Sequence, residues 1–350
     1  MARRSAAELK DDSPPPNHPK LAEHLIAHAA VEKQLLGMIN ANRLPHAILL
    51  TGPRGIGKAT LAWRLARFLL APRETGGLFG EALPPESLHL PSTHPTFRRA
   101  VAGAHPDLLV LEAEDIKIEE ARSVAAFLSL TPAESEWRVV IIDSADAMNR
   151  NAANALLKTL EEPPARAALL LVSHNPGALL PTIRSRCRTL RVPPLTEPEF
   201  ARVMGQLAPD LMPGDSLAWA TLSGGSPGVA LMLMEAGADT LYQELLTRLA
   251  EPDTIKNHSF ADRFARKENA GEWQVLSRLF LWLLARIASG EQAAEAFPGE
   301  RARLARLRQA KPLDAWLELW ERAGRLLADA THLHLDKKQT VLTLLRAAGE

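Results

Sequence analysis

Short, near-continuously apolar runs punctuate the first half of the chain at Ala47–Leu50, Leu108–Leu111, Val139–Ile142, Leu169–Val172 and Thr189–Val192. Strands that are apolar throughout, and not only at alternate positions, belong in sheets covered on both faces, the habit of parallel sheets flanked by helices. Between these runs the apolar positions recur at three- and four-residue steps over Lys58–Leu70, Glu119–Leu130 and Asn151–Leu160, which predicts helices. Alternation of this kind predicts an α/β fold with a parallel sheet. The stretch from Pro72 to Pro106 is rich in Gly and Pro and reads as a long excursion with little regular structure.

The pattern changes after Val192. Pro193, Pro194 and Pro198 break it, and a short helical segment follows that carries the turn Ser223-Gly-Gly-Ser-Pro-Gly228. From about Leu241 helical periodicity dominates. Leu276, Leu279, Phe280, Leu283, Leu284 and Ile287 fall on one helix face, as do Leu313, Trp316, Leu317, Trp320 and Leu327, and such stripes are expected to form the core of a helical bundle. The expected organisation is an α/β domain over 1–193 with residues 1–20 as a disordered arm, a small helical domain over 194–240, and a helical domain over 241–350.

Composition adds exclusions. Lys plus Arg and Asp plus Glu both number 41, so the formal net charge is zero, whereas a chain that grips nucleic acid alone is usually basic. One cysteine, Cys187, rules out an internal disulfide and any four-thiolate zinc site. The first twenty residues lack an apolar core, and the most apolar helical stretch, Leu279–Ala285, is too short to cross a bilayer, so a cytoplasmic location without membrane contact is expected.

The chemistry-bearing motif is Gly52-Pro-Arg-Gly55-Ile-Gly57-Lys58, set between a predicted strand and a predicted helix. Glycines let backbone amides curl around phosphate oxygens, the helix N-terminus adds a favourable dipole, and Lys58 supplies a point charge. A hydrolysing loop also needs a hydroxyl after the lysine to hold Mg²⁺, and here that residue is Ala59. Thr60 is one step, about 100°, round the helix and points elsewhere. Downstream, Val139-Val-Ile-Ile-Asp143 ends an apolar strand in an acid, which either faces a nucleotide at the strand's carboxyl end or caps a turn with Asp146. The following position, where a hydrolase of this type needs a glutamate to polarise water, is Ser144.

Asp143-Ser-Ala-Asp146-Ala-Met-Asn149, Asn154-Ala-Leu-Leu-Lys158-Thr-Leu-Glu-Glu-Pro163-Pro, and Leu180-Pro-Thr-Ile-Arg184-Ser185-Arg186-Cys187 resemble the clamp-loader branch of the AAA+ ATPases, as does Arg43-Leu-Pro-His46-Ala before the loop. The matches run in order from about Leu35 to Val192. The resemblance implies an AAA+ parallel-sheet P-loop module with a small helical lid over 194–240 and an all-α collar over 241–350. It implies that Arg186, in the Ser-Arg-Cys motif, is an arginine finger reaching a neighbouring subunit's nucleotide; an ordinary salt-bridging arginine is the plain alternative. It also implies a lid arginine where this chain has Gly228. With Ala59, Ser144 and Gly228 all departing from the hydrolysing pattern, the expectation is a non-hydrolysing stator subunit of a DNA polymerase III clamp loader. Its partners would be ATPase motor subunits, a clamp-opening subunit and, through the complex, the sliding clamp and primed DNA. The alternative is an active motor subunit of the same loader. Gly52, Gly55, Gly57, Lys58 and Asp143 would form a degenerate site that holds ATP or ADP without turnover. The zinc module of the family is not expected here, because its cysteines are absent. Glu161 and Glu162, acids that oppose the dipole at a predicted helix C-terminus, are expected to serve an inter-subunit contact.

Overall fold

The computed structural model describes residues 15–72, 84–113, 115–211, 215–265, 270–289, 295, 297 and 299–349. Two compact units divide at Pro193/Pro194.

The first unit is built on five strands: β1 (Ala47–Thr51), β2 (Leu108–Glu112), β3 (Arg138–Asp143), β4 (Ala167–Ser173) and β5 (Arg188–Arg191). Their spatial order is β2-β3-β4-β1-β5, and every pairing is parallel. The apolar residues of the three inner strands, β3, β4 and β1, are almost wholly inaccessible to water, whereas those of β2, as apolar in sequence, are half-buried at one edge. At the edge, β5 buries only Leu190 and exposes Arg188, Thr189 and Arg191. Helices α1 (Ala29–Asn40), α2 (Lys58–Leu70), α3 (Pro95–Val101), α4 (Ile118–Leu128), α5 (Arg150–Glu161) and α6 (Pro181–Arg184) complete this unit. Leu49, Val140, Ile142, Leu169 and Leu171 share one core cluster with Leu156 and Leu160 of α5, while α2 packs against β3 and β4.

The predicted strands and helices of this unit are present with boundaries shifted by no more than two residues. Three helices, α1, α3 and the four-residue α6, were not anticipated. α3 lies inside the stretch expected to lack regular structure. It starts where the His94 ring nitrogen accepts from the Thr96 amide and Pro95 takes the first turn, a position that tolerates a missing N–H. Residues 73–83 of the same stretch lie outside the described residues. So does the expected arm up to residue 14, and a single 3-10 turn forms within its remainder at Pro19–Leu21.

Among the described residues the second unit is helical throughout: α7 (Glu197–Leu207), α8 (Ser216–Ser223), α9 (Pro227–Glu235), α10 (Ala238–Ala250), α11 (Thr254–Asp262), α12 (Ala270–Ser289), α13 (Glu300–Ala310), α14 (Leu313–His332) and α15 (Lys337–Gly349). All six residues of the predicted α12 stripe are buried. The α14 stripe divides: Trp316 is core as expected, and the expectation is corrected for Trp320. Trp316 and Leu327 are buried with Leu319, Ala323 and Ala330, whereas Leu313, Leu317 and Trp320 are 52%, 48% and 42% exposed. Two apolar stripes run side by side on this helix, and one of them faces the core. No single described helix is long and apolar enough to cross a membrane.

Candidate functional site

Parallel pairing sets the carboxyl ends of four strands together: Thr51 of β1 opposite Ser173 of β4, and Asp143 of β3 opposite both Val172 of β4 and Glu112 of β2. Ligands of open α/β sheets bind at this edge. The 52–57 loop leaves β1 here. Gly52 has φ 149°, and a Cβ placed on it would lie 2.2 Å from the Val192 carbonyl oxygen, so only glycine lets the loop pass the chain leaving β5. Gly55 and Gly57 are left-handed at φ 76° and 100°, and Gly57 forms the N-cap of α2. Gly52→Ala is therefore expected to destabilise the first unit by ~1–3 kcal/mol, the usual cost of a strained backbone position. Chemical denaturation measures this, and a wild-type midpoint would show that the loop is not held against Val192.

Lys58 is 2% exposed. Its Nζ donates to the Gly52 carbonyl at 2.8 Å and to the Pro53 carbonyl, so the ammonium folds back onto its own loop. Burial pulls its pKa down to about 8, and the charges of Asp143 and Asp146 oppose that shift. Asp143 is pushed up to about 6, first by burial and then by the Glu112 carboxylate, with Lys58 opposing. The structure thus gathers Gly52, Gly55, Gly57, Lys58 and Asp143 at one edge. Asp146 does not serve there as a turn partner of Asp143. Its carboxylate accepts from the Ser173 hydroxyl at 2.7 Å, the His174 amide and the Asn175 amide at 3.1 Å, tying the turn after β3 to the end of β4. His174 is driven down to about 4, by burial first and by Lys58 second, and so is neutral near pH 7. No group of three or more His, Cys, Asp or Glu among the described residues is placed to hold a metal ion.

Arg186 belongs to a separate cluster, on the link between α6 and β5. Its Nη2 lies 2.7 Å from Glu161 Oε1, and its Nη1 donates to the Thr182 carbonyl at 3.0 Å and the Ser185 hydroxyl at 3.3 Å. The guanidinium is about one-third exposed. Within this chain Glu161 is therefore an ion-pair partner of Arg186. Beside it, burial pushes the Cys187 thiol up to about 11, so the residue is a packing group and not a nucleophile. Gly228 lies in the first turn of α9, in the other compact unit.

Other residues of the matched motifs have plain structural duties. Asn149 caps α5, accepting from the Asn151 and Ala152 amides at 3.1 and 2.9 Å. The His46 ring bonds the Leu160 carbonyl at 3.1 Å, fastening the end of α5 to the start of β1. Sequence reasoning did not identify His28. It is buried and left-handed at φ 67°, and its Nε2 lies 2.7 Å from the Ile56 carbonyl oxygen of the loop. Its partner is 28 residues away in sequence, so no local pattern signals the contact.

Comparison with known proteins agrees with this arrangement. The family described as DNA polymerase III, delta subunit, matches residues 27–196. DNA polymerase III subunit delta-prime of Pseudomonas aeruginosa is 40% identical over 198 residues, 55% of this chain and 56% of that protein. The Bacillus subtilis delta-prime subunit is 38% identical over 47% of each chain. The Escherichia coli delta-prime subunit is 34% identical over 61% of this chain and 63% of its own length. Proteins named as subunits gamma and tau match at lower identity. The chain spans about half to two-thirds of the delta-prime relatives it matches. The loop, the Asp143 strand and the Ser-Arg-Cys link all lie inside the matched stretch, and it is this stretch, residues 27–196, that is homologous to DNA polymerase III delta-prime subunits.

Proposed function

We propose that this chain is a non-hydrolysing, delta-prime-like stator subunit of a DNA polymerase III clamp loader, and that Arg186 acts in trans on a neighbouring motor subunit's nucleotide. The observation that carries this reading is the contrast between the two clusters. Arg186 is at the surface, on the link that carries the Ser-Arg-Cys motif, and among the described residues its ion-pair partner is the half-exposed Glu161. The loop beside Asp143, in contrast, is followed by Ala59 and Ser144, which lack the metal-holding hydroxyl and the basic carboxylate of a hydrolase. A guanidinium suits the trans role because it stays charged and matches phosphate oxygens with a planar fork.

In this reading 1–193 is the AAA+ module, 194–240 its lid and 241–350 the collar. The exposed Leu313, Leu317 and Trp320 of α14 support a collar that meets other subunits. The partners are gamma/tau-like motor subunits, a delta-like clamp-opening subunit and, through the complex, the sliding clamp and primed DNA. The glycine cradle and buried Lys58 fit a nucleotide's phosphates: Lys58 would exchange its loop carbonyls for phosphate oxygens, and Asp143 would face the same edge.

The isolated chain is expected to sustain no ATP hydrolysis. Steady turnover that disappears in Lys58→Ala would instead identify a gamma/tau-like motor subunit, the reading favoured by the intact loop glycines alone.

A further inference from the structure

We propose that His28 is a positioning residue for the 52–57 loop, holding the Ile56–Gly57 peptide so that its amide N–H is presented to a nucleotide phosphate. This rests on the reading of that loop as a phosphate cradle. His28 precedes α1 and is far from the loop in sequence, yet its Nε2 is 2.7 Å from the Ile56 carbonyl oxygen and the contact is buried. A carbonyl only accepts, so Nε2 carries the proton and donates. The Ile56–Gly57 peptide is a rigid trans plane in which C=O and N–H point in opposite directions. Drawing the carbonyl toward His28 therefore turns the Gly57 N–H away from it, toward the concave side of the loop. Gly57 is also the N-cap of α2, so this amide stands next to the unsatisfied donors of the helix's first turn.

The backbone at His28 supports a specific role. Its φ of 67° and ψ of 27° are left-handed, a conformation that a branched-ring residue adopts at a cost and that glycine or asparagine would adopt readily. No ring atom crowds the loop: a Cβ added at Gly57 would still be 3.9 Å from the imidazole. The ring is a strut against one carbonyl and leaves the cradle open.

The test uses the full-length protein with a fluorescent ADP analogue, and inorganic pyrophosphate as competitor. His28→Gly and His28→Asn both suit the left-handed backbone, and neither side chain reaches Ile56. Each is expected to weaken binding about five-fold, the worth of one ordinary hydrogen bond, while Lys58→Ala weakens it further. Melting temperature should move by only a few degrees, because relief of the backbone and loss of a buried ring act in opposite directions. Unchanged affinity in both variants overturns the strut. Loss of the fold in both makes His28 a core residue and overturns it too. If the wild-type protein shows no saturable binding sensitive to Lys58→Ala, the cradle reading itself fails, and the two failures are distinguished by that one control.

Discussion

Under the proposed trans role, Arg186→Ala is expected to slow ATP hydrolysis at the neighbouring site by ~10³-fold or more, within the ~10³–10⁵ that a trans arginine contributes in nucleotide hydrolases. In a reconstituted loader the total rate should fall only by that site's share, while clamp loading onto primed DNA falls further, because loading needs the sites to act in sequence. Fold and assembly should be unchanged. The polar partners of the Arg186 side chain are Glu161, Thr182 and Ser185, all exposed, and an exposed ion pair such as Arg186–Glu161 is worth ~0–1 kcal/mol. Arg186→Lys should restore little, since an ammonium cannot reproduce the planar fork.

Two controls separate the finger from its surroundings. Arg184→Ala removes an exposed arginine from the end of α6, two residues away, and should load clamps normally. Glu161→Gln removes the charge that holds the guanidinium in the free chain. Because that pair is weak, a phosphate can displace it, and loading should change by no more than a few-fold. Normal loading by Arg186→Ala would leave Glu161 as its whole partner and reduce the residue to an ordinary surface salt bridge.

What could be read in the sequence was what local chemistry determines. β1, β3 and β4 are legible because burial on both faces requires apolar residues at every position. β5 is less so, for as an edge strand it needs only Leu190 inside. α1 has the periodicity of a helix in Val31, Leu35, Leu36 and Ile39, but it opens on a left-handed His28 with no side-chain cap, so the usual start signal is missing. α14 shows the opposite limit: periodicity finds both of its apolar stripes and cannot say which one the rest of the bundle covers. The site divides in the same way. The glycines, Lys58 and Asp143 lie in continuous motifs and were found. His28 with Ile56, Arg186 with Glu161, and Asp146 with Ser173 are separated by 28, 25 and 27 residues, and only folding brings them together.

Glu300→Ala is expected to destabilise the second unit by ~3–5 kcal/mol, the cost of breaking a buried charge pair by removing one partner. Glu300 opens α13, is wholly inaccessible to water, faces Arg286 Nη2 of α12 at 3.4 Å, and accepts from the Tyr242 hydroxyl of α10. One carboxylate therefore joins three helices. Tyr242 is itself fully buried, and burial followed by the Glu300 charge pushes its pKa far up, so it remains a neutral donor at any working pH. The Trp282 ring meets it edge-on at 5.2 Å, which gives a fluorescence reporter for this junction. Tyr242→Phe deletes one hydrogen bond and should cost only ~1–3 kcal/mol. Glu300→Gln keeps an acceptor but not the charge opposite Arg286, and should fall between the two. Domains are stable by only ~5–15 kcal/mol, so Glu300→Ala should melt the helical unit well below the wild-type transition and remove the chain from the assembled loader at that temperature. Denaturation followed by tryptophan emission measures all three variants. If Glu300→Ala costs no more than Tyr242→Phe, the charge facing Arg286 contributes nothing, and packing of the apolar helix faces alone holds α10, α12 and α13 together.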